Sequence, residues 1–153
     1  GQAVNLHGIP RFTEDIDLLM TAEDLERFRE RCLGRGYLPA FSGAERSFKD
    51  TATGVRIEIL KTGEYPGDGK PKPVAFPTPS SVGFQREGLK VIRLEPLIEL
   101  KLASGLSAAN RLKDLSDVQD LIRLLDLPVE LGETLDPSVR EEYRRLWQTL
   151  RGE

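Results

Sequence analysis

The sequence has very few of the side chains that form crosslinks or soft-metal centres. Among its 153 residues there is one cysteine, Cys32, and one histidine, His7. A lone cysteine excludes an intrachain disulfide and a cysteine-based zinc site, and a lone histidine excludes an imidazole cluster. We expect a reducing, cytoplasmic setting, in which Cys32 is a small core residue and His7 packs against the strand that follows it.

Long apolar runs and a strong charge imbalance are also missing. No stretch approaches the roughly 20 apolar residues that a membrane helix requires, so we expect no membrane contact. The 22 basic and 25 acidic residues give a net charge of -3, which is unlike a polybasic nucleic-acid binder but compatible with a local basic patch. Hydrophobic residues make up 39% of the chain, enough for a globular core.

The absence of internal repeats predicts a single domain over residues 1–153. Residues 1–94 are expected to form a sheet-bearing core, and residues 95–153 a set of C-terminal helices. The chain begins at Gly1 instead of a methionine and already lies within a patterned segment. We therefore expect that a preceding portion is missing.

Two carboxylates stand at alternate positions of an apolar strand predicted over Asp15–Met20. Successive side chains of a strand point to opposite faces, so Asp15 and Asp17 share one face while Ile16 and Leu18 share the other. Two carboxylates this close can reach one hard cation, and Mg²⁺ is usually held by one or two carboxylates together with substrate phosphates. The alternative is a strand end that carries two solvated acids.

The residues before this strand include groups that suit a phosphorylated ligand. Gly1 opens a short helix predicted over residues 1–8, whose backbone N–H groups would approach an anion; a simple turn is the alternative. Arg11 and Thr13 come just before the carboxylates, and an arginine fork suits phosphate oxygens. The alternative for these two side chains is a local salt bridge with Glu14 or a helix cap.

A third carboxylate is predicted from a β-hairpin formed by residues 47–50 and 55–60. Its second strand alternates, with Ile57 and Ile59 on one face and Glu58 on the other. If this strand lies beside Asp15–Met20, with both apolar faces on one helical layer, Glu58 emerges on the face of Asp15 and Asp17. Three carboxylates in one place are costly unless a cation is bound, which favours a metal site.

The remaining pattern predicts an α/β protein, α+β in the stricter sense, with a small mixed sheet, helices mainly on one face and a C-terminal helical portion. A proline-rich loop over residues 62–82 would be a lid or a partner contact. Further elements are a helix that starts at Thr21, a strand over residues 89–94, and helices over residues 95–104, 111–125 and 137–151.

Charged residues on two of the C-terminal helices are candidates for ligand contacts. Lys101 lies near the end of an apolar helix side, where it would be either an exposed lysine lying over apolar surface or a phosphate-binding group. Asp114 and Asp117 lie one helical turn apart and can act on one face; a solvated acidic flank is the alternative.

Residues 3–18, 99–105 and 111–118 together resemble the nucleotidyltransferase superfamily of the DNA polymerase β-type fold. The similarity is closest to its small AbiEii/MNT-like members, many of them toxin–antitoxin components. The superfamily pattern is a Gly-Gly or Gly-Ser helix start, an Asp-x-Asp or Asp-x-Glu strand and a third carboxylate on a later strand. Gly1, Asp15 with Asp17, and Glu58 match it. The chain begins at the second glycine of the pair, and Glu58 is longer by one methylene than the common Asp.

This resemblance implies transfer of a nucleoside monophosphate from a nucleoside triphosphate (NTP) to an acceptor hydroxyl, with release of pyrophosphate. Mg²⁺ or Mn²⁺ would be held by Asp15, Asp17 and Glu58, and Glu58 would help to deprotonate the acceptor. The groups expected to bind the nucleotide are Gly1, Arg11, Thr13, Lys101 and Asp114.

The acceptor and the partners stay open at this point. RNA or tRNA, a protein and a small hydroxylated molecule are all possible acceptors, and a cognate toxin or antitoxin is a possible partner. A basic rim around the site would favour tRNA, and an acidic rim a cationic small molecule. The alternative function is a non-catalytic binding module of the same fold, acting as an antitoxin or a nucleotide sensor.

Overall fold

The computed structural model describes residues 15–86 and 88–152. Six strands and five helices follow one another along this part of the chain: β1 (Asp15–Met20), α1 (Ala22–Cys32), β2 (Tyr37–Pro39), β3 (Ser47–Asp50), β4 (Arg56–Lys61), α2 (Pro79–Val82), β5 (Gly83–Arg86), β6 (Leu89–Ile92), α3 (Leu94–Ser107), α4 (Leu112–Leu125) and α5 (Pro137–Arg151). Short 3₁₀ helices cover Ala109–Arg111 and Val129–Thr134. The α+β class is confirmed.

The main sheet has four strands in the order β1-β4-β3-β2. β1 runs parallel to β4, whereas β3 is antiparallel to both β4 and β2, so the sheet is mixed as predicted. The expected pairing of β1 with β4 is confirmed, with Asp17 opposite Glu58 and Leu18 opposite Ile59. β5 and β6 form a separate antiparallel pair.

One face of the main sheet is covered by α1. This helix begins after Thr21, whose hydroxyl oxygen accepts a hydrogen bond from the Asp24 backbone N–H at 3.1 Å, as expected of an N-cap. Leu25 from the helix packs against Phe48, Ile57 and Ile59 from the strands, and all four are buried. The side chains of Asp17 and Glu58 therefore lie on the face away from α1.

The three long C-terminal helices pack against one another around a second apolar cluster. Ile98 and Leu102 of α3, Val118 and Leu121 of α4, and Tyr143 of α5 are all completely buried there. The helices α4 and α5 each contribute one apolar stripe, whereas α3 is buried on several sides. Helix α5 has the bounds that were predicted for it. Val74, from the loop that follows the sheet, also belongs to this cluster.

The segment between the two clusters differs from the prediction. The expected loop over residues 62–82 ends in the one-turn helix α2, and β5 follows immediately to pair with β6. Strand β6 stops at Ile92 and α3 continues to Ser107, three residues beyond the predicted end. β2 and β5 have only three and four residues, too few for alternation to mark them in the sequence.

Candidate functional site

Two acidic side chains are brought together by the pairing of β1 with β4. Asp17 and Glu58 are opposite residues of these parallel strands, whose backbones lie roughly 4.8 Å apart in any sheet. Their neighbours Ile57 and Ile59 are buried against α1, so alternation turns Glu58, and with it Asp17, to the opposite face. Asp17 is exposed and Glu58 is half-buried.

The Glu58 carboxylate is oriented by a serine of the next strand. Ser47 lies opposite Glu58 in the β3–β4 pair, and its hydroxyl donates to Glu58 Oε2 at 2.6 Å. Ser47 was not among the predicted site residues, although the alternation of β3 places it on the face of Glu58. Because a carboxylate has two oxygens, this bond leaves the group able to bind a cation through the other.

The other groups predicted for this site lie outside what the structure describes. Asp15 is the first residue of β1, but its side chain lies outside what the structure describes. Gly1, Arg11 and Thr13, the predicted phosphate contacts, also lie outside the described residues, as does the predicted helix over residues 1–8. Within residues 15–86 and 88–152, no group of three or more His, Cys, Asp or Glu side chains is placed to hold a metal.

Lys101 and Asp114 meet between α3 and α4, where they form a cluster with two further residues. Lys101 Nζ lies 2.8 Å from Asp117 Oδ2 and 3.4 Å from Asp114 Oδ1. The Ser104 hydroxyl donates to Asp114 Oδ2 at 2.6 Å. The Lys101 side chain is 20% exposed and that of Asp117 only 4%, so this is an ion pair largely removed from water.

The contacts of the Lys101 cluster can be compared with the prediction, whereas its role in nucleotide binding stays a prediction. Asp114 and Asp117 act on one face, as their spacing indicated, and that face is turned to Lys101 instead of to solvent. Breaking an ion pair inside a protein costs free energy, because each charge is left without its partner where water solvates it poorly. A nucleotide phosphate that binds Lys101 would have to compete with these two carboxylates.

The loop after β4 is attached to the C-terminal helices by two hydrogen bonds. The Asp68 backbone N–H donates to the Ser107 hydroxyl at 3.2 Å, and the Arg111 guanidinium donates to the Gly67 carbonyl at 3.0 Å. Within the loop, the Lys72 ammonium donates to the Asp68 carboxylate at 2.7 Å, and this hydrogen bond lowers the pKa of Asp68 below its usual value. The loop therefore has a fixed path across the junction between the sheet and the helices.

Comparisons with known proteins do not identify a family for this chain. Among the helices of the described part of the chain, none is long and apolar enough to cross a membrane. The resemblance drawn from the sequence motifs stays a prediction. No family model, curated protein or solved structure matches the chain.

Proposed function

We propose that the chain is a metal-dependent nucleotidyltransferase, which moves a nucleoside monophosphate from an NTP to an acceptor hydroxyl. The observation that carries this proposal is the register of the two parallel strands, which sets Asp17 directly opposite Glu58 on the face away from α1. Two carboxylates side by side repel each other, and a divalent cation between them removes that cost. A shift of one residue in the register of β1 against β4 would turn one of the two side chains to the other face and would separate the pair.

The donor set fits Mg²⁺ or Mn²⁺. Both ions prefer oxygen ligands, and Asp17 and Glu58, with Asp15 beside them in sequence, would supply carboxylate oxygens while substrate phosphates complete the coordination. When bound, the metal neutralises charge on the triphosphate and on the oxygens that enter and leave at phosphorus. The Ser47 hydroxyl would keep the Glu58 carboxylate in one orientation.

In the proposed reaction the acceptor oxygen forms a bond to the α-phosphorus and the bond from that phosphorus to the bridging oxygen breaks. Pyrophosphate leaves with the electron pair, and the acceptor proton passes to the Glu58 carboxylate. Gly1, Arg11 and Thr13 would bind the phosphates. Lys101 and Asp114 would position the nucleotide, with a phosphate oxygen replacing the longer of the two contacts of Lys101, that to Asp114.

The test is transfer of label from each of the four NTPs, in the presence of Mg²⁺, to total cellular RNA or to protein. Asp17→Asn keeps the size of the side chain and removes its charge, so we expect a loss of transfer of about 10²-fold or more without a change in fold. Asp120→Asn makes the same chemical change on α4, where the carboxylate is 39% exposed and pairs with Arg123, and it should retain full activity. Chelation of the metal should abolish transfer by the wild-type chain. Full turnover by Asp17→Asn would refute the metal site.

The alternative, a binding module without turnover, is favoured by one observation. Lys101 is held by two carboxylates, and a lysine neutralised in this way is a poor phosphate ligand. An antitoxin or nucleotide sensor of this kind would bind an NTP in the presence of metal and transfer no label to RNA, to protein or to a toxin partner. The labelling experiment separates the two functions when NTP binding is measured on the same samples.

A further inference from the structure

Ser47, Glu58 and Asp17 form one row across three neighbouring strands of the main sheet. Ser47 of β3 lies opposite Glu58 of β4, which in turn lies opposite Asp17 of β1. Their neighbours Phe48 and Ile57 are buried in the sheet cluster against α1, so alternation places the row on the face away from that helix. The Ser47 hydroxyl is therefore on the face that carries the proposed metal site.

The backbone brings Ser47 and Glu58 into close pairing. Opposite residues of antiparallel strands alternate between hydrogen-bonded and non-hydrogen-bonded pairs, and side chains lie closer in the second kind. The backbones of Arg46 and Asp50 bond across the hairpin, so Ser47 and Glu58 between them are a non-hydrogen-bonded pair. On the other side of β3, the Ser47 carbonyl accepts a hydrogen bond from the Ala40 N–H at 2.8 Å. The 2.6 Å hydrogen bond from the Ser47 hydroxyl to Glu58 Oε2 therefore joins side chains on backbone that is held from both sides.

A hydroxyl that donates to a carboxylate at this distance has the arrangement of a nucleophile with its base, which lie about 2.6–3.2 Å apart in enzymes. The Ser47 hydroxyl has one proton, which Glu58 accepts, and its lone pairs are left for a bond to phosphorus. Both side chains are half-buried, so neither is closed off from solvent. The proposed reaction requires an acceptor hydroxyl whose proton passes to Glu58, and Ser47 meets that requirement within the chain itself.

Other serine hydroxyls that donate to carboxylates lie elsewhere in the fold. Ser104 donates at 2.6 Å to a carboxylate of α4, but it is buried between α3 and α4. Ser138 donates at 2.7 Å to the carboxylate that caps α5. Of these three serines, Ser47 alone lies on the strand face of Glu58.

We propose that Ser47 is a site of self-nucleotidylation, to which the chain transfers a nucleoside monophosphate from an NTP when no other acceptor is present. This rests on the proposed function, because the same carboxylates and metal would act. Ser47 Oγ forms a bond to the α-phosphorus, and the bond from that phosphorus to the bridging oxygen breaks. Pyrophosphate leaves with the electron pair, and the Ser47 proton passes to the Glu58 carboxylate.

Such a modification would regulate the site that produces it. A nucleotide on Ser47 would lie beside Glu58, where the hydroxyl of any other acceptor has to approach. The chain would then stop transferring to other molecules. An acceptor that reaches Glu58 first would in turn protect Ser47, because both hydroxyls compete for one carboxylate.

The experiment incubates the full chain with each NTP and Mg²⁺, with and without a cell extract that supplies acceptors, and measures the mass of the chain and of its proteolytic fragments. Without extract, the chain should gain one nucleotidyl group on Ser47. Its rate per chain should not depend on protein concentration, because the step is intramolecular. Ser47→Ala should lose the added mass, and Ser47→Thr, which keeps a hydroxyl, should retain it at a lower rate. Ser138→Ala, the matched change at a serine that also donates to a carboxylate, should gain mass as the wild type does.

A second measurement follows transfer of label to the extract after preincubation of the chain with NTP and Mg²⁺ alone. The wild type should lose this transfer in step with the modification of Ser47. The rate of Ser47→Ala should stay at its own starting value throughout preincubation, because nothing then covers Glu58. A rate that falls equally in both chains would overturn the regulatory role.

The outcomes separate this proposal from the proposed function. Labelled extract with an unmodified Ser47 would overturn the self-modification and leave the nucleotidyltransferase standing. Added mass on another residue, or label that hydroxylamine releases, as it would from a carboxylate such as Glu58, would also overturn it. Absence of label from both chain and extract would refute the proposed function and the modification together. Ser47 modified equally in Asp17→Asn would uphold the modified serine and refute the metal site.

Discussion

Tyr143 shows how one buried side chain ties stability to pH. Its ring is completely buried, and its hydroxyl donates to the Pro128 carbonyl at 2.8 Å. Burial, with a smaller contribution from the negative charge of Glu130, raises the pKa of Tyr143 to about 12. The ordinary value in an unfolded chain is about 10, so the folded state resists the loss of this proton.

The sign of the effect follows from the direction of this shift. A group whose pKa is raised in the folded state contributes its full stability below the unfolded pKa and loses it as the pH rises through the folded pKa. The contribution of Tyr143 should therefore be constant up to about pH 10 and should fall by about 2 to 3 kcal/mol between pH 10 and 12.

Tyr143→Phe tests this contribution. At pH 7 the variant should lose about 1 kcal/mol of unfolding free energy, because the Pro128 carbonyl loses its hydrogen bond. Between pH 10 and 12 the wild type should lose the additional stability and the variant should not, so the difference of about 1 kcal/mol should disappear and then reverse in favour of the variant. A difference that is unchanged from pH 7 to pH 12 would contradict the prediction.

The sequence could identify the acidic residues of the site but only some of their partners. Alternation along β1 and β4 was sufficient to place Asp17 and Glu58 on one face once the two strands were taken as neighbours. The partner of Lys101 could not be predicted from residues near it in sequence, because Asp117 lies 16 residues away on another helix. Spacing within α4 therefore predicted that Asp114 and Asp117 act together, and only the packing of α3 on α4 shows that Lys101 lies between them.

At the scale of elements, the junction of the loop with α3 depends on one close approach. Gly67 has a φ of +75°, and a Cβ added at this position would overlap the Ser107 hydroxyl and lie 3.0 Å from the Ser104 Cα. The approach to Ser107 is closer than side chains tolerate, and the approach to Ser104, which involves backbone, is tighter than most Cβ contacts. The loop can lie against α3 in this way only because residue 67 has no side chain.

Gly67→Ala should therefore displace the loop from α3, with loss of the hydrogen bonds to Ser107 and Arg111. Gly69→Ala is the matched control, because Gly69 has a φ of +76° and a Cβ added there would meet nothing within 4 Å. Both variants should lose roughly 1 kcal/mol from the strained backbone, and Gly67→Ala should lose at least about 1 kcal/mol more. Thermal unfolding measures the difference, and equal losses would contradict the close packing.

The long C-terminal helix α5 was predictable from the sequence because its apolar stripe extends over several turns. The stripe of Val139, Tyr143 and Leu146, with Asp136 as a cap and Pro137 at the first position, fixes the course and the start of α5. The path of the proline-rich loop has no such periodicity, and it is held by residues about 40 positions away in sequence. The path of this loop could accordingly not be predicted from the sequence patterns.

At the scale of the whole molecule, most of the buried apolar residues that the structure describes belong to two clusters, which share no residue. The sheet cluster consists of Leu25, Phe48, Ile57 and Ile59. The helical cluster is formed by α3, α4 and α5 together with Val74 of the loop. The proline-rich loop passes from one cluster to the other, because it follows β4 and contributes Val74 to the helical cluster.

This division predicts that the two parts respond separately to a cavity. Phe48 is completely buried in the sheet cluster, and Phe48→Ala should cost about 3 to 5 kcal/mol there, from lost burial and the cavity left behind. Backbone amides of β3 and β4 should then exchange with deuterium about 10² to 10³ times faster, whereas amides of α3 to α5 should keep their protection. Leu102→Ala, in the helical cluster, should give the reverse pattern.

Hydrogen exchange followed by mass spectrometry distinguishes this behaviour from unfolding as one unit. If both variants accelerate exchange equally in the sheet and in the helices, the loop couples the clusters fully and the molecule opens only as a whole. If each variant acts on its own cluster, the sheet can open while the helices stay folded.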